Sequence, residues 1–218
     1  MFWYIFVTGL LKAEVEDLET LKEAVNAAPA DDTPFIIKLA GTIDDFQTVH
    51  IPGHRKILLK ADNVSKPAIL KCPVKSNEYQ HLQVQRDASL TLEGKITLQG
   101  ADYGGNSQYA LYVENGGKAE IKDGVTITGF KNGDIGTVVS DGGLTMSGGT
   151  ITGNQAKKGG GVCVNGNFEM QGDAIVTPTA DKNDVFLAGS HKITVTGALI
   201  KKPAARSLAT SITRAEFL

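Results

Sequence analysis

Two apolar residues enclosing one polar residue recur through the second half of this chain. The phrase reads Leu90-Thr91-Leu92, then Ala119-Glu120-Ile121, Leu144-Thr145-Met146, Phe168-Glu169-Met170 and Ile193-Thr194-Val195. Its closing residues, Leu92, Ile121, Met146, Met170 and Val195, stand 29, 25, 24 and 25 residues apart. Apolar-in, polar-out alternation at a period of two is the pattern of a strand with one face in a core. A second series keeps step just ahead of it: Val84, Val113, Val139, Val164 and Leu187, at intervals of 29, 26, 25 and 23. Two registers that advance together over five units define a repeat.

Within each unit the order is strand, Gly- or Asn-containing turn, strand, second Gly turn, strand, and a loop of variable length. Twenty of the 25 glycines fall between Gly94 and Gly172. There they suit corners that need positive φ or close backbone approach, with Gly124, Gly142, Gly143, Gly148 and Gly166 as examples. Three short strands per unit cannot satisfy their own backbones, so each must pair with its equivalents one coil above and below. The fold expected is all-β, a single-stranded parallel β-helix or solenoid of about seven coils, two of them irregular.

The first part of the chain fits as its beginning. Val15, Leu18, Leu21 and Val25, with acidic residues in the first turn, predict an amphipathic helix over Glu14–Ala28, closed by Pro29. This helix is expected to cap the open end of the core. Before it, Trp3–Thr8 is rich in strong β formers and predicts a strand ending at Gly9. The apolar opening is too short to span a bilayer and has no Lys or Arg ahead of it, so it is no clear signal peptide. One domain is expected over 1–218: strand and capping helix in 1–33, irregular first coils in 34–81, regular coils in 82–203 and a C-terminal cap in 204–218.

Composition narrows the chemistry. A formal net charge of −2 without charged runs offers no electrostatic reason for nucleic acid or an anionic membrane as partner. Cys72 and Cys163 form neither a disulfide framework nor a zinc spacing. On the coil assignment they lie three to four rungs apart, roughly 14 to 19 Å, which predicts two free thiols. No cofactor motif is legible, and no metal site is expected. His50 and His54 flank Ile51-Pro52-Gly53, where a helix-borne ligand pair is excluded. With His81 and His191 they read as solvated histidines. Ser140, Ser147 and Ser190 lack a nucleophile elbow.

The strings MSGGTITGNQAKKGGGVCV and NDVFLAGSHKITVTGALI resemble the glycine-rich repeat proteins of bacterial cell surfaces, within the right-handed parallel β-helix or pectin-lyase-like superfamily. The opening strand, the helix LETLKEAVNAA and the first coil FIIKLAGTI are similar in layout to that group. The resemblance implies a secreted or cell-surface protein. It leaves function open, because such folds serve as lyases, hydrolases and adhesins. Enzymes of this kind acting on acidic polysaccharides cluster carboxylates on one lateral face. Here Asp102, Asp123, Asp134, Asp141, Asp173, Asp181 and Asp184, with Lys122 and Lys131, are scattered, mostly beside turn residues. Neither paired-Asp, His-Gly nor Arg-x-Lys signatures are present, so no catalytic residue is assigned.

One outward column is unusual. With Leu82 and Val84, Leu111 and Val113, Val162 and Val164, and Val185 and Leu187 inside, the outward residues become Gln83, Tyr112, Val138, Cys163 and Phe186. Four adjacent rungs, Tyr112, Val138, Cys163 and Phe186, then present an apolar stripe. The functional reading is a partner-binding face for a glycan or a cell-surface protein on a non-enzymatic scaffold. Alternatively, a loop or the N-terminal strand covers the stripe. A polysaccharide-active lyase or hydrolase is the other functional reading, and three or more carboxylates in one groove would favour it.

Overall fold

The computed structural model describes residues 11–61, 67–72, 79–101, 108–178 and 184–209. Its strands form three sheets, and every pairing among them is parallel. Sheet 1 has eight strands, from Leu11–Val15 to Ile193–Leu199; sheet 2 has six, from Gly41–Ile43 to Ile175–Val176; sheet 3 has seven, from Val49–Ile51 to Ser207–Ala209. The chain visits them in rotation, as in Gly143–Met146, Thr150–Thr152 and Val162–Val164. Each circuit returns one strand further along every sheet. The result is a right-handed parallel β-helix, the hand that parallel crossovers take. Six coils contribute to all three sheets, and a seventh begins with Ile193–Leu199 and Ser207–Ala209.

Sheet 1 follows the alternation read from the sequence. Leu92, Ile121, Met146, Met170 and Val195 pair in one unbroken column. Leu90, Ala119, Leu144 and Phe168 form the neighbouring buried column. Only the last rung departs: Val195 holds its inward register position yet is 48% exposed, because no further described coil covers it. The expected corner at Gly124 is a left-handed turn, φ 86°, where an added Cβ would lie 2.8 Å from the Gly94 carbonyl. A side chain there would prise two rungs apart.

Three expectations near the ends need correction. The described residues of 34–81, expected to be irregular, hold the strands of two three-strand coils, the last of which closes at Val84. The helix spans Leu18–Ala27, not Glu14–Ala28. Asp17 sets its start, its side chain accepting the Thr20 N–H at 2.8 Å, while Glu14 and Val15 pair as strand with Lys38 and Leu39. The helix does cap the core, burying Leu21, Ala24 and Val25. Part of the expected C-terminal cap is instead another rung of sheet 3, Ser207–Ala209 on Val185–Leu187. The strand expected at Trp3–Thr8 and the tail from residue 210 lie outside the described residues.

Candidate functional site

Sheet 3 places the expected partner face, and its register revises one residue. Val138 pairs with Leu111 and Val162, both core positions, and is fully buried. The outward position on that rung belongs to Val139, which pairs with Tyr112 and Cys163. Val-Val-Ser offers two equivalent apolar residues and puts a serine at the second inward position. Ser140 is buried there, its hydroxyl donating to the Gly142 carbonyl at 3.2 Å. The outward column is therefore His50, Gln83, Tyr112, Val139, Cys163 and Phe186.

Most of the apolar stripe is covered by the chain itself. Val139 and Cys163 are buried. The loops before Val138 and Val162 stack on one another, bridging Lys131 to Gln155 and Ile135 to Lys158, with Lys157 paired to Asp134 at 2.9 Å. Their glycines let them close down. A Cβ at Gly136 would stand 3.2 Å from Cys163 Cβ, and one at Gly159 would stand 2.7 Å from Phe186 Cβ. Lys158 lies over the Phe186 ring, 5.4 Å from its centroid. Of the four residues expected to bind together, Val138 and Cys163 are buried, Phe186 carries a lysine, and Tyr112 remains half-buried at the edge.

Around Tyr112 the structure assembles what alternation alone did not bring together. Two residues beyond the outward column runs a second column, Glu114, Asp141 and Asn165, held by backbone bonds to the preceding rungs. Side chains step diagonally from one column and rung to the next. Gln83 Nε2 donates to Glu114 Oε1 at 2.6 Å, and the Arg86 N–H donates to Glu114 Oε2 at 3.2 Å. Tyr112 Oη donates to Asp141 Oδ2 at 2.6 Å, and Asn165 Nδ2 donates to Asp141 Oδ1 at 2.7 Å. The Tyr109 ring sits against Tyr112, centroids 6.4 Å apart. The bond to Asp141, with burial, pushes the Tyr112 phenol up to about 12, so it stays a donor at neutral pH. The arrangement offers two aromatic rings and a row of oriented carboxylate and amide groups. That set can stack on a flat ligand and bond to its hydroxyls.

The remaining candidates lie elsewhere. Asp134 is tied to Lys157, and Asp184 is buried beside Arg206 at 3.6 Å. Asp123 and Asp173 lie in the turns from sheet 1 to sheet 2, two coils apart, and Asp102 and Asp181 lie outside the described residues. Of the histidines, His50, His54 and His191 are exposed. His54 shares a cleft of about 550 Å³ with Asp32, Asp87, Lys56 and Lys118. His81 is not solvated: it is fully buried between Phe46 and Phe130, edge-on to both at 5.0 and 5.2 Å. Its Nε2 lies 3.2 Å from Cys72 Sγ. Both cysteines are free and buried. Among the described residues no group of three or more His, Cys, Asp or Glu is arranged to hold a metal. None of the described helices is long and apolar enough to cross a membrane. No family model matches the chain, and comparison with curated proteins and with solved structures finds no significant match. The resemblance read from the sequence therefore stands at the level of architecture, a parallel β-solenoid.

Proposed function

We propose that the chain is a binding scaffold that presents the Tyr109–Tyr112 edge of sheet 3 to a neutral or hydroxyl-rich glycan. One observation carries the reading: the Tyr112–Asp141–Asn165 row, three side chains on three successive rungs, fixed by two short hydrogen bonds. Rungs spaced by about 4.8 Å give such a row a regular pitch along the solenoid, suited to an extended chain ligand. Stacking on Tyr109 and Tyr112 supplies apolar contact, and the lone pairs left on Asp141 and Glu114 supply acceptors. Both carboxylates already hold neighbouring side chains or backbone. That supports an orienting role over a proton-transfer role, and so a non-enzymatic scaffold over a polysaccharide lyase or hydrolase. A secreted or cell-surface location, where such a ligand is met, belongs to the same proposal. The test is a glycan array probed with the wild-type chain and with Asp141→Asn. Selective binding that the substitution weakens tenfold or more supports the reading. Absence of selective binding overturns it.

A further inference from the structure

The two ends of the solenoid differ in a way the lateral face does not explain. At the C-terminal end, strand Ile193–Leu199 is, among the described residues, the last strand of sheet 1, where it pairs only with Asn167–Gly172. Its outer edge borders a concavity of about 820 Å³ lined by Ile193, Val195, Leu199 and Pro203. Val195 and Ile200 are 48% and 71% exposed. Lys201 and Lys202 line the concavity too, Lys192 and Arg206 flank that stretch of chain, and all four are exposed. Of these, Arg206 alone has an acidic partner among the described residues, Asp184.

At the N-terminal end, Leu11–Val15 is, among the described residues, the outermost strand of the same sheet, where it pairs only with Pro34–Leu39. Glu14, Glu16, Asp17, Glu19 and Glu23 are exposed on that strand, the bend after it and the following helix, while the same stretch, 11–27, holds two cations, Lys12 on the strand and Lys22 on the helix. Glu16 and Glu23 make no ion pair with a described residue. Six rungs separate the two ends, on the order of 30 Å, so they cannot meet within one molecule.

We infer that these ends are made for each other in different copies of the chain: the basic, apolar C-terminal end of one docks on the acidic N-terminal end of the next. The strands run parallel throughout sheet 1, and the register positions of Leu11 and Ile193 belong to one column through Phe35, Ile57, Leu90 and Phe168. Pairing Ile193–Val195 with the next copy's Leu11–Ala13 therefore continues the sheet in direction and in inside-outside order, ahead of the register shift that sets Leu199 opposite Gly172. Charge selects the orientation. Basic end against basic end and acidic against acidic both repel, while the unlike ends attract. A free strand edge is a template for added strands. A head-to-tail contact of this kind does not close on itself, so the product is a linear row of solenoids.

Sedimentation velocity on the intact chain over a range of concentrations tests this, with two charge reversals: Lys201→Glu with Lys202→Glu, and Glu16→Lys with Glu23→Lys. All four sites are exposed, and circular dichroism confirms that each variant is folded. The expected result is a weight-average mass that rises with wild-type concentration at low salt. It falls back to one chain at about 1 M salt, where the Debye length is about 3 Å. Each variant alone associates at least tenfold more weakly, and an equimolar mixture regains association. A wild-type chain that stays monomeric at every concentration overturns the inference. So does association that is indifferent to the reversals, or a mixture that fails to restore it.

Discussion

His81 is a base held where protonation is costly, and that makes stability depend on pH in a calculable way. Its ring is fully buried between Phe46 and Phe130. Burial pushes its pKa down to about 3. Burial also pushes the Cys72 thiol up to about 12. The S–H is then the donor and Nε2 the acceptor, which leaves Nδ1 as a buried N–H with no protein partner. The folded-state pKa lies below the unfolded value of about 6.5, so between the two the unfolded chain binds a proton that the folded chain refuses. The neutral ring's contribution is complete above about pH 6.5 and is lost as pH falls toward 3. Each pH unit in that window costs about 1.4 kcal/mol. Between pH 7 and pH 5 the loss is therefore about 2 kcal/mol. Carboxylates held low by their partners, such as Glu93 beside Lys60 and Lys122, act in the same direction only at lower pH. The pH 7 to 5 interval isolates the histidine. Urea unfolding followed by far-UV circular dichroism at the two pH values measures the effect. Wild type should lose about 2 kcal/mol, whereas His81→Phe, which keeps an aromatic ring between the two phenylalanines, should lose almost none of it. An equal fall in both proteins would refute the assignment of His81 to the interior.

Further expectations follow from the register, the thiols and the tyrosine. Met146→Asp places a carboxylate between Ile121 and Met170 and should cost about 3–5 kcal/mol in a urea melt. Thr145→Asp, outward between Glu120 and Glu169, should cost about 1 kcal/mol; equal losses would contradict the inside-outside order. Cys72 and Cys163, free and buried, should be inert to a thiol reagent in the native protein, and both should react after denaturation without reductant. A spectrophotometric titration should show a phenol ionising near pH 12, that of Tyr112. In Asp141→Asn it should ionise earlier, since the hydrogen bond to Asp141 is the largest cause of the shift.

The solenoid was legible because sheet 1 is written plainly. Leu-Thr-Leu, Ala-Glu-Ile and Phe-Glu-Met each fix inside and outside by a polar residue between two apolar ones, and the pairing follows them without a slip. Sheet 3 was harder at one rung. Val138-Val139-Ser140 places apolar residues on both faces and a serine in the core, so alternation could not choose between neighbours; backbone pairing did. The loop contacts on Cys163 and Phe186 come from Gly136 and Gly159, each of which permits approach to the next rung, a long-range event that strand periodicity does not encode. The same holds for His81, whose burial is made by Phe46 and Phe130, 35 and 49 residues away in the chain. The polar row did leave a trace. Glu114, Asp141 and Asn165 each follow an outward residue of sheet 3 by two positions, and counting on by two from Tyr112, Val139 and Cys163 would have aligned them.

We propose that ligand binds at the tyrosine edge and nowhere along the covered part of sheet 3. Isothermal titration of the strongest array ligand tests it with three proteins: wild type, Tyr109→Ala combined with Asp141→Asn, and Lys158→Ala, which uncovers the Phe186 ring. The first substitution pair should weaken binding at least tenfold with an unchanged urea midpoint, while Lys158→Ala should bind as wild type does. Undiminished binding by the tyrosine-edge variant, or loss of binding on removing Lys158 alone, would contradict it.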